Sequence, residues 1–225
     1  MTEYVLEAHG ITKSYPEANG QLLPILKGVD VSLERGKSYA IVGNSGSGKS
    51  TLLEILATLL PADSGILSIM GRDVKGLSPA AHAALRNRDL GFIFQNSQLL
   101  GDFNALENVM MPLLIKGESA AIAQARATDL LVRVGLEQRL RHNPEQLSGG
   151  ERQRVAVARA LACGPAIVFA DEPTGSLDEG NARIVEDLLL DLAGEGKFTL
   201  LLVTHNRLFA ERTDQVWHLR EGVLA

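Results

Sequence analysis

The sequence predicts an α/β fold: a mostly parallel sheet covered by helices, with an antiparallel β layer and an inserted helical subdomain. Two observations lead to this prediction. Continuous apolar runs at residues 166–170 and 198–203 alternate with helical patterns, which is typical of parallel strands buried on both faces. Between about residues 96 and 160 the pattern instead predicts consecutive helices, so this stretch reads as an insertion into the α/β core.

The N-terminal elements predict the antiparallel layer and the start of the core. Strand patterns separated by polar or glycine-containing turns cover residues 5–11, 22–26, 29–33 and 66–70. Residues 38–42 form a short apolar run with the length of a buried strand. The next helical pattern, residues 51–60, is expected to stop at Pro61.

The later elements follow the same rules. Residues 90–94 predict a strand that ends at Gln95, and the C-terminus predicts a small hairpin from residues 216–219 and 222–224. Pro112 is expected to kink or shorten the first helix of the insertion. The helical patterns cover residues 105–114, 119–134, 149–162 and 181–193.

Composition limits the classes of protein that the chain can belong to. Its 225 residues are 45% hydrophobic, enough for a substantial core, and its net charge of −5 disfavours a surface built for DNA. Cys163 is the single cysteine, which excludes an intramolecular disulfide and favours a reducing compartment. No apolar run approaches the roughly 20 residues that span a bilayer, and we expect no signal peptide. Work at a membrane would therefore need another chain as anchor.

Residues 43–50 read G-x-x-x-x-G-K-S between a predicted strand and a predicted helix. Glycines allow the backbone to wrap a phosphate, and successive amides at a helix N-terminus bind anions. In this motif the lysine reaches the β- and γ-phosphates and the serine hydroxyl binds Mg²⁺. The predicted phosphate-binding residues are Gly43, Asn44, Ser45, Gly46, Ser47, Gly48, Lys49, Ser50 and Thr51.

Two carboxylates, Asp171 and Glu172, end the buried strand at 166–170. Carboxylates in that position are costly unless they handle a metal or a proton. Asp171 fits the acid that holds Mg²⁺ through its water shell. Glu172 fits a base that polarises the attacking water.

A second anion-binding pattern lies at residues 147–151, where a loop opens a helix. Ser148 is a good N-cap, and Gly149 and Gly150 leave backbone N–H groups uncovered. A single nucleotide does not need two such loops. The simplest interpretation is that two chains face each other and each loop closes the partner's site.

Two further residues are predicted to face the ligand. Gln95 ends a strand beside the helical insertion, where its amide oxygen can bind Mg²⁺ and its loop can transmit the nucleotide state. His205 follows a buried strand and should contact the γ-phosphate.

Together these residues resemble the nucleotide-binding subunit of the ATP-binding cassette (ABC) transporters over essentially the whole chain. Residues 43–50 resemble the Walker A motif, 167–171 the Walker B motif and 147–151 the signature motif. The resemblance implies a catalytic glutamate at Glu172, a Q-loop at Gln95 and a switch histidine at His205. It also implies a D-loop that contains Asp178 and an adenine-stacking ring at Tyr15.

Within this family, residues 102–109, 147–156 and 171–178 resemble the group of bacterial lipoprotein-release and macrolide-export ATPases. Ser176 and Asn206 depart from that group, which usually has asparagine and aspartate there. The resemblance implies one nucleotide-binding domain over residues 1–225, with a helical subdomain at about 96–160. It further implies ATP and Mg²⁺, a homodimer, integral membrane permease partners and no nucleic acid. The expected location is the cytoplasmic face of the inner membrane, held only through the permease.

Other interpretations remain open at this point. A soluble ABC ATPase for protein or metal-cluster assembly fits the same motifs, whereas a plain kinase would leave residues 147–151 without a role. An apolar patch at the start of the insertion has two interpretations, subdomain core or a surface that receives a helix of a membrane protein. Its members are Leu99, Leu100, Phe103, Met110, Met111 and Leu113.

Overall fold

A computed structural model describes residues 4–18 and 20–225 and contains two sheets. The strands are β1 (Tyr4–Pro16), β2 (Leu22–Glu34), β3 (Ser38–Val42), β4 (Ser64–Ile69), β5 (Arg72–Asp73), β6 (Leu90–Phe94), β7 (Ile167–Asp171), β8 (Thr199–Val203), β9 (Gln215–Arg220) and β10 (Val223–Leu224). The helices are α1 (Lys49–Leu56), α2 (Pro79–Asp89), α3 (Ala105–Lys116), α4 (Ala120–Arg133), α5 (Gly149–Leu161), α6 (Glu179–Gly194) and α7 (Arg207–Ala210).

The six-stranded sheet, in the order β10-β9-β3-β8-β7-β6, confirms the predicted core. Its central strands β3, β8, β7 and β6 are parallel. Because successive side chains of a strand point to opposite faces, Ile167 and Phe169 enter one hydrophobic cluster while Val168 and Ala170 enter another. The sheet is therefore buried on both faces, and the carboxyl ends of its strands share one edge.

The antiparallel layer has the order β2-β1-β4-β5, and two predicted details of it were wrong. Residues 22–26 and 29–33 belong to one strand, β2, which continues through Gly28 in the left-handed region at φ +93°. The first strand was predicted to end at residue 11 but runs on to Pro16, since residues 12–16 pair with β2. Register shifts along this pair mark where the local pattern was interrupted.

Two helices differ from the prediction. The first ends at Leu56, before Pro61, and Thr58 follows in the left-handed region at φ +59°. The second, α2, was not predicted. None of its residues is buried, so it carries no apolar periodicity, and its only local signal is the N-cap Ser78 followed by proline.

Helices α3, α4 and α5 lie in the stretch for which a helical subdomain was predicted, but α3 runs past Pro112 to Lys116 and is not shortened. Leu113 is fully buried and Met110 packs against the same core. The apolar patch is therefore partly subdomain core, although Leu100 remains 42% exposed. Within the described ranges, each helix is either too short or too polar to cross a bilayer.

Candidate nucleotide-binding site

A cavity of about 510 Å³ opens at the edge where the carboxyl ends of the parallel strands meet. Open α/β sheets bind their ligands in this position. It brings most of the predicted site residues together and adds Ile25, for which the sequence carried no signal. The lining residues are Tyr15, Ile25, Ser45, Gly46, Gly48, Lys49, Ser50, Thr51, Gln95, Glu172 and His205.

The phosphate-binding loop is shaped by Gly48, which is the N-cap of α1 in the left-handed conformation at φ +97°. A Cβ at this position would lie 2.8 Å from Cγ2 of Ile25, so a larger residue would both strain the backbone and clash. Gly48 offers no side chain to cap α1, and the first turn contains no acidic residue. The N–H groups of that turn therefore remain available for an anion.

Lys49 supplies a further donor, whereas the Ser47 hydroxyl is buried outside the cavity. The Lys49 side chain is buried, and its Nζ donates to the carbonyl oxygens of Gly43 at 2.9 Å and Asn44 at 3.1 Å. An ammonium group has three donors, so one remains for a phosphate. Within the described residues the buried Ser47 hydroxyl has no hydrogen-bond partner, and Ser47 is not among the residues that line the cavity.

Ser50 and Asp171 form an oxygen-rich pair behind this loop. The Ser50 hydroxyl donates to Oδ1 of Asp171 at 3.2 Å. Burial raises the pKa of Asp171, while the hydrogen bond from Ser50 partly opposes the rise. A partly buried carboxylate next to a hydroxyl group offers two hard oxygen ligands, which are the kind that Mg²⁺ prefers. These residues therefore fit the predicted metal, with Gln95 exposed on the cavity wall.

Glu172 and His205 contact each other at the far side of the cavity. Oε2 of Glu172 lies 2.8 Å from Nδ1 of His205 and also accepts a hydrogen bond from the Thr204 hydroxyl at 3.4 Å. Glu172 adopts φ +46°, a strained conformation for a residue with a side chain and one that clusters at functional sites. Thr204 was missed by the sequence analysis because a threonine at the end of an apolar strand carries no functional signal.

Side chains from other elements donate hydrogen bonds to the backbone carbonyl groups at the end of β6 and in the loop that follows it. Gln153 donates to the Phe94 carbonyl at 2.9 Å, and the Ser176 hydroxyl donates to that of Gln95 at 2.9 Å. Arg159 donates to two further carbonyls of this loop at 2.8 Å each. Since Gln153 and Arg159 belong to α5, the Gln95 loop is tied both to that helix and to the segment after Glu172.

The second predicted anion site opens α5 but does not line the cavity of its own chain. Ser148 is the N-cap, and its hydroxyl accepts the Glu151 N–H at 3.2 Å. Gly150 is required by packing, because a Cβ there would lie 2.3 Å from Oδ1 of Asn181 in α6. Gly149 begins the same turn. Asp178, also outside the cavity, is the N-cap of α6 and accepts the Asn181 N–H at 3.0 Å.

Glu151 completes a capping box at this helix start. Its Oε2 accepts the Ser148 N–H at 2.8 Å and its Oε1 accepts from Arg139 at 2.8 Å, and these bonds lower the pKa of Glu151 to about 2. A carboxyl group whose pKa is lowered by folding stabilises the protein above its unfolded pKa of about 4.3. That contribution is lost as the pH falls from about 4.3 towards about 2.

We therefore expect Glu151→Gln to lower the melting temperature by about 2–4 °C at pH 7, the equivalent of about 1 kcal/mol in a chain of this size. The difference from the wild type should shrink as the pH approaches 2, where about half of the wild-type carboxylate is itself protonated. Thermal melting followed by circular dichroism at several pH values measures both effects. The matched control is Glu145→Gln, an exposed residue of the preceding turn, which should shift the melting temperature by less than about 1 °C. A difference that stays constant down to pH 2 would contradict the assignment.

A model of the ABC transporter family matches residues 26–175 of this chain. The chain belongs to that family, and its fold is that of an ATP-binding cassette. It is 48% identical to the lipoprotein-releasing system ATP-binding protein LolD of Alcanivorax borkumensis, over 98% of this chain and 96% of that protein. It is 49% identical to the LolD protein of Porphyromonas gingivalis, over 98% of each chain.

Solved structures agree with this membership. One is the dimeric post-hydrolysis state of the ATP-binding cassette MJ0796 bound to ADP and Pi, at 34% identity and a TM-score of 0.89. The structural match covers 97% of this chain and 96% of the MJ0796 chain. A second dimeric structure of MJ0796, at 35% identity, has the same TM-score. The family and fold predicted from the sequence are therefore confirmed.

Proposed function

We propose that this chain is the ATPase subunit of a transporter that releases lipoproteins from the inner membrane. The observation that supports the proposal is the cavity, which is lined by Lys49, Ser50, Gln95, Glu172 and His205. It occurs in a chain that is almost half identical to LolD proteins over 98% of its length. The soluble assembly ATPase has no such support.

In the proposed site the phosphates lie on the first turn of α1. The free N–H groups of that turn and the remaining donor of Lys49 bind their oxygens. Tyr15, at the end of β1 and 38% exposed, stacks on the adenine ring. Ser50, Gln95 and Asp171 hold Mg²⁺, which when bound neutralises charge on the phosphates.

For hydrolysis, Glu172 accepts a proton from the water whose oxygen attacks the γ-phosphorus, while the bond to the bridging oxygen of ADP breaks. His205 contacts Glu172 through Nδ1, so its Nε2 is the nitrogen left to face the γ-phosphate. The histidine thus connects the base to the phosphoryl group that the water attacks.

Two chains complete each site. Ser148, Gly149 and Gly150 of the partner bind the γ-phosphate opposite Lys49, with Asp178 near the interface, so ATP favours the closed dimer and ADP does not. These residues lie outside the cavity of their own chain, as a shared site requires. The dimeric structures of MJ0796 support this arrangement.

The permease docks on the helical subdomain and holds the ATPase at the cytoplasmic face of the inner membrane. Met111, Leu114 and Ile115 share one face of α3 because residues three and four apart are neighbours on a helix. Leu114 is 40% and Ile115 69% exposed, and Met111 belongs to neither hydrophobic cluster, unlike Met110. Of the predicted apolar patch only Met111 lies on this face, and the exposed Leu114 and Ile115 extend it into a surface available to a membrane partner.

Met111→Asp should therefore leave ATP hydrolysis by the isolated chain within about twofold but reduce ATP-dependent lipoprotein release at least about tenfold, because desolvating a carboxylate against the permease is costly. Release is measured in vesicles that contain the permease and a labelled lipoprotein, and association by pull-down. The matched control is Ile122→Asp, also in the subdomain and 48% exposed. Undiminished association of the Met111 variant would place the permease on another surface, and no release by the wild type would refute the proposed function.

A further inference from the structure

Glu186 is a buried carboxylate that the roles proposed above leave unused. It lies in α6 and is 6% exposed. Its Oε1 accepts two hydrogen bonds from neutral groups, Nδ2 of Asn206 at 3.0 Å and the hydroxyl of Thr174 at 3.4 Å. A carboxylate is rarely buried to this degree, and the cost is offset only where hydrogen bonds satisfy its oxygens.

Glu186 lies beside a surface cleft that also contains Arg183 and Arg212, and both arginines form ion pairs with other carboxylates. Arg183 pairs with Glu179 at 2.9 Å and Arg212 pairs with Asp187 at 2.6 Å. Glu186 lines the same cleft but depends on its two neutral donors. The free energy of burying the Glu186 carboxylate therefore depends on the chemical nature of these two donors.

The two donors come from two different loops of the catalytic site. Thr174 lies two residues after Glu172, at the start of the loop that leads to Asp178. Asn206 directly follows His205. A single carboxylate oxygen therefore bridges the segment of the proposed base and the segment of the histidine that contacts it.

The orientation of the Asn206 amide follows from its partners. Its Oδ1 accepts the Phe209 N–H at 3.2 Å as the N-cap of α7, which leaves the NH₂ group to donate to Glu186. An aspartate at this position could still cap α7, but it would set a second carboxylate against the buried one. Asparagine at position 206, where the group that the sequence resembles usually has aspartate, caps α7 without this repulsion.

We propose that Glu186 is a positioning residue that holds the His205 loop and the Glu172 segment in register, and that asparagine at position 206 is the partner its carboxylate requires. The inference rests on the proposed roles of Glu172 and His205. It predicts a specific dependence of residue 206 on residue 186, which packing alone would not produce.

The test is a double-mutant cycle of Asn206→Asp and Glu186→Gln, measured by steady-state ATP hydrolysis and by binding of a fluorescent ATP analogue. Asn206→Asp should lower kcat at least about tenfold, because the two carboxylates repel and displace His205 from Glu172. The KM for ATP should change less than about twofold, since the loop at residues 43–50 is untouched. Glu186→Gln should stay within about threefold of the wild type because its Oε1 still accepts both hydrogen bonds.

The double variant should recover kcat to within about threefold of the wild type, because the amide introduced at position 186 can donate to the carboxylate introduced at position 206. The matched control is Asp187→Asn, the next residue of α6, whose side chain is 60% exposed; it should change kcat less than about twofold. A double variant no better than Asn206→Asp, or a roughly tenfold rise in KM that accompanies the loss of kcat, would overturn the inference.

Thermal melting of the wild type and the three variants of the cycle shows whether a loss of kcat comes from a less stable protein or from misplaced catalytic residues. If Asn206→Asp does not fold, the double variant must restore both folding and turnover, and failure to do so also contradicts the inference. A wild type that does not hydrolyse ATP would refute the proposed site roles. A wild type that hydrolyses ATP but shows no coupling between residues 186 and 206 would refute only the positioning role.

Discussion

Glu172→Gln is expected to reduce kcat for ATP hydrolysis by about a hundred- to ten-thousand-fold, the range attributed to a general base. ATP binding should stay close to that of the wild type, because the carboxylate is used only in the chemical step. Glutamine keeps the shape of the side chain, so the contact with His205 at 2.8 Å can persist without a base. The variant should therefore accumulate as an ATP-dependent dimer on a sizing column.

Steady-state hydrolysis and size-exclusion chromatography with ATP or ADP measure these effects. Glu137→Gln, at an exposed position of the helical subdomain, is the matched control and should behave as the wild type. Near-normal turnover by the Glu172 variant would remove this residue from the proposed role. A slow variant that stays monomeric with ATP would instead separate hydrolysis from dimerisation.

A mixed dimer of Lys49→Ala and Ser148→Arg chains is expected to trap ATP at one site, whereas neither homodimer traps any. If each ATP lies between Lys49 of one chain and Ser148 of the other, both defects of the mixed dimer fall in the same site. The other site combines an intact Lys49 with an intact Ser148. Random mixing produces about half of the dimers in this form, since the pair is two-fold symmetric.

Retention of labelled ATP on purified mixed dimers is the measurement, because retention reports each site separately even if turnover depends on both. Ser148→Arg also removes the N-cap of α5, which costs about 1 kcal/mol of stability. Ser119→Arg removes the equivalent cap of α4, whose hydroxyl accepts the Ile122 N–H, and this control should trap ATP normally. If purified mixed dimers trap no more than either parent, residues 147–151 serve their own chain.

Some parts of the candidate site could be predicted directly from the sequence, and others only through the resemblance to a known family. The loop at residues 43–50, the acidic pair at the end of β7 and the cap at Ser148 were recognisable because each depends on residues adjacent in the chain. The resemblance then supplied roles for Gln95 and His205, and the cavity brings both to the phosphate loop. The roles themselves stay predictions until the variants are measured.

Errors arose where local pattern and pairing disagree. The sequence indicated a break at Lys27 and Gly28, but hydrogen bonding to β1 carries β2 through it. Helix α2 escaped notice because all of its residues are at least partly exposed. In both cases the pattern of apolar residues indicates only which side chains are buried. Whether a strand or a helix forms is determined by its backbone hydrogen bonds.

By itself, then, the sequence determined the class of fold, the phosphate loop and the family, because these depend on short-range spacing and on buried runs. Only the tertiary structure decided how the loops are joined. Ser176 contacts Gln95 from 81 residues away and Asn206 contacts Glu186 from 20 residues away. A single polar side chain carries no local signal of its partner when folding brings the two together from separate elements. The asparagine at position 206 was therefore visible in the sequence as a departure, but its reason became visible only in the packed structure.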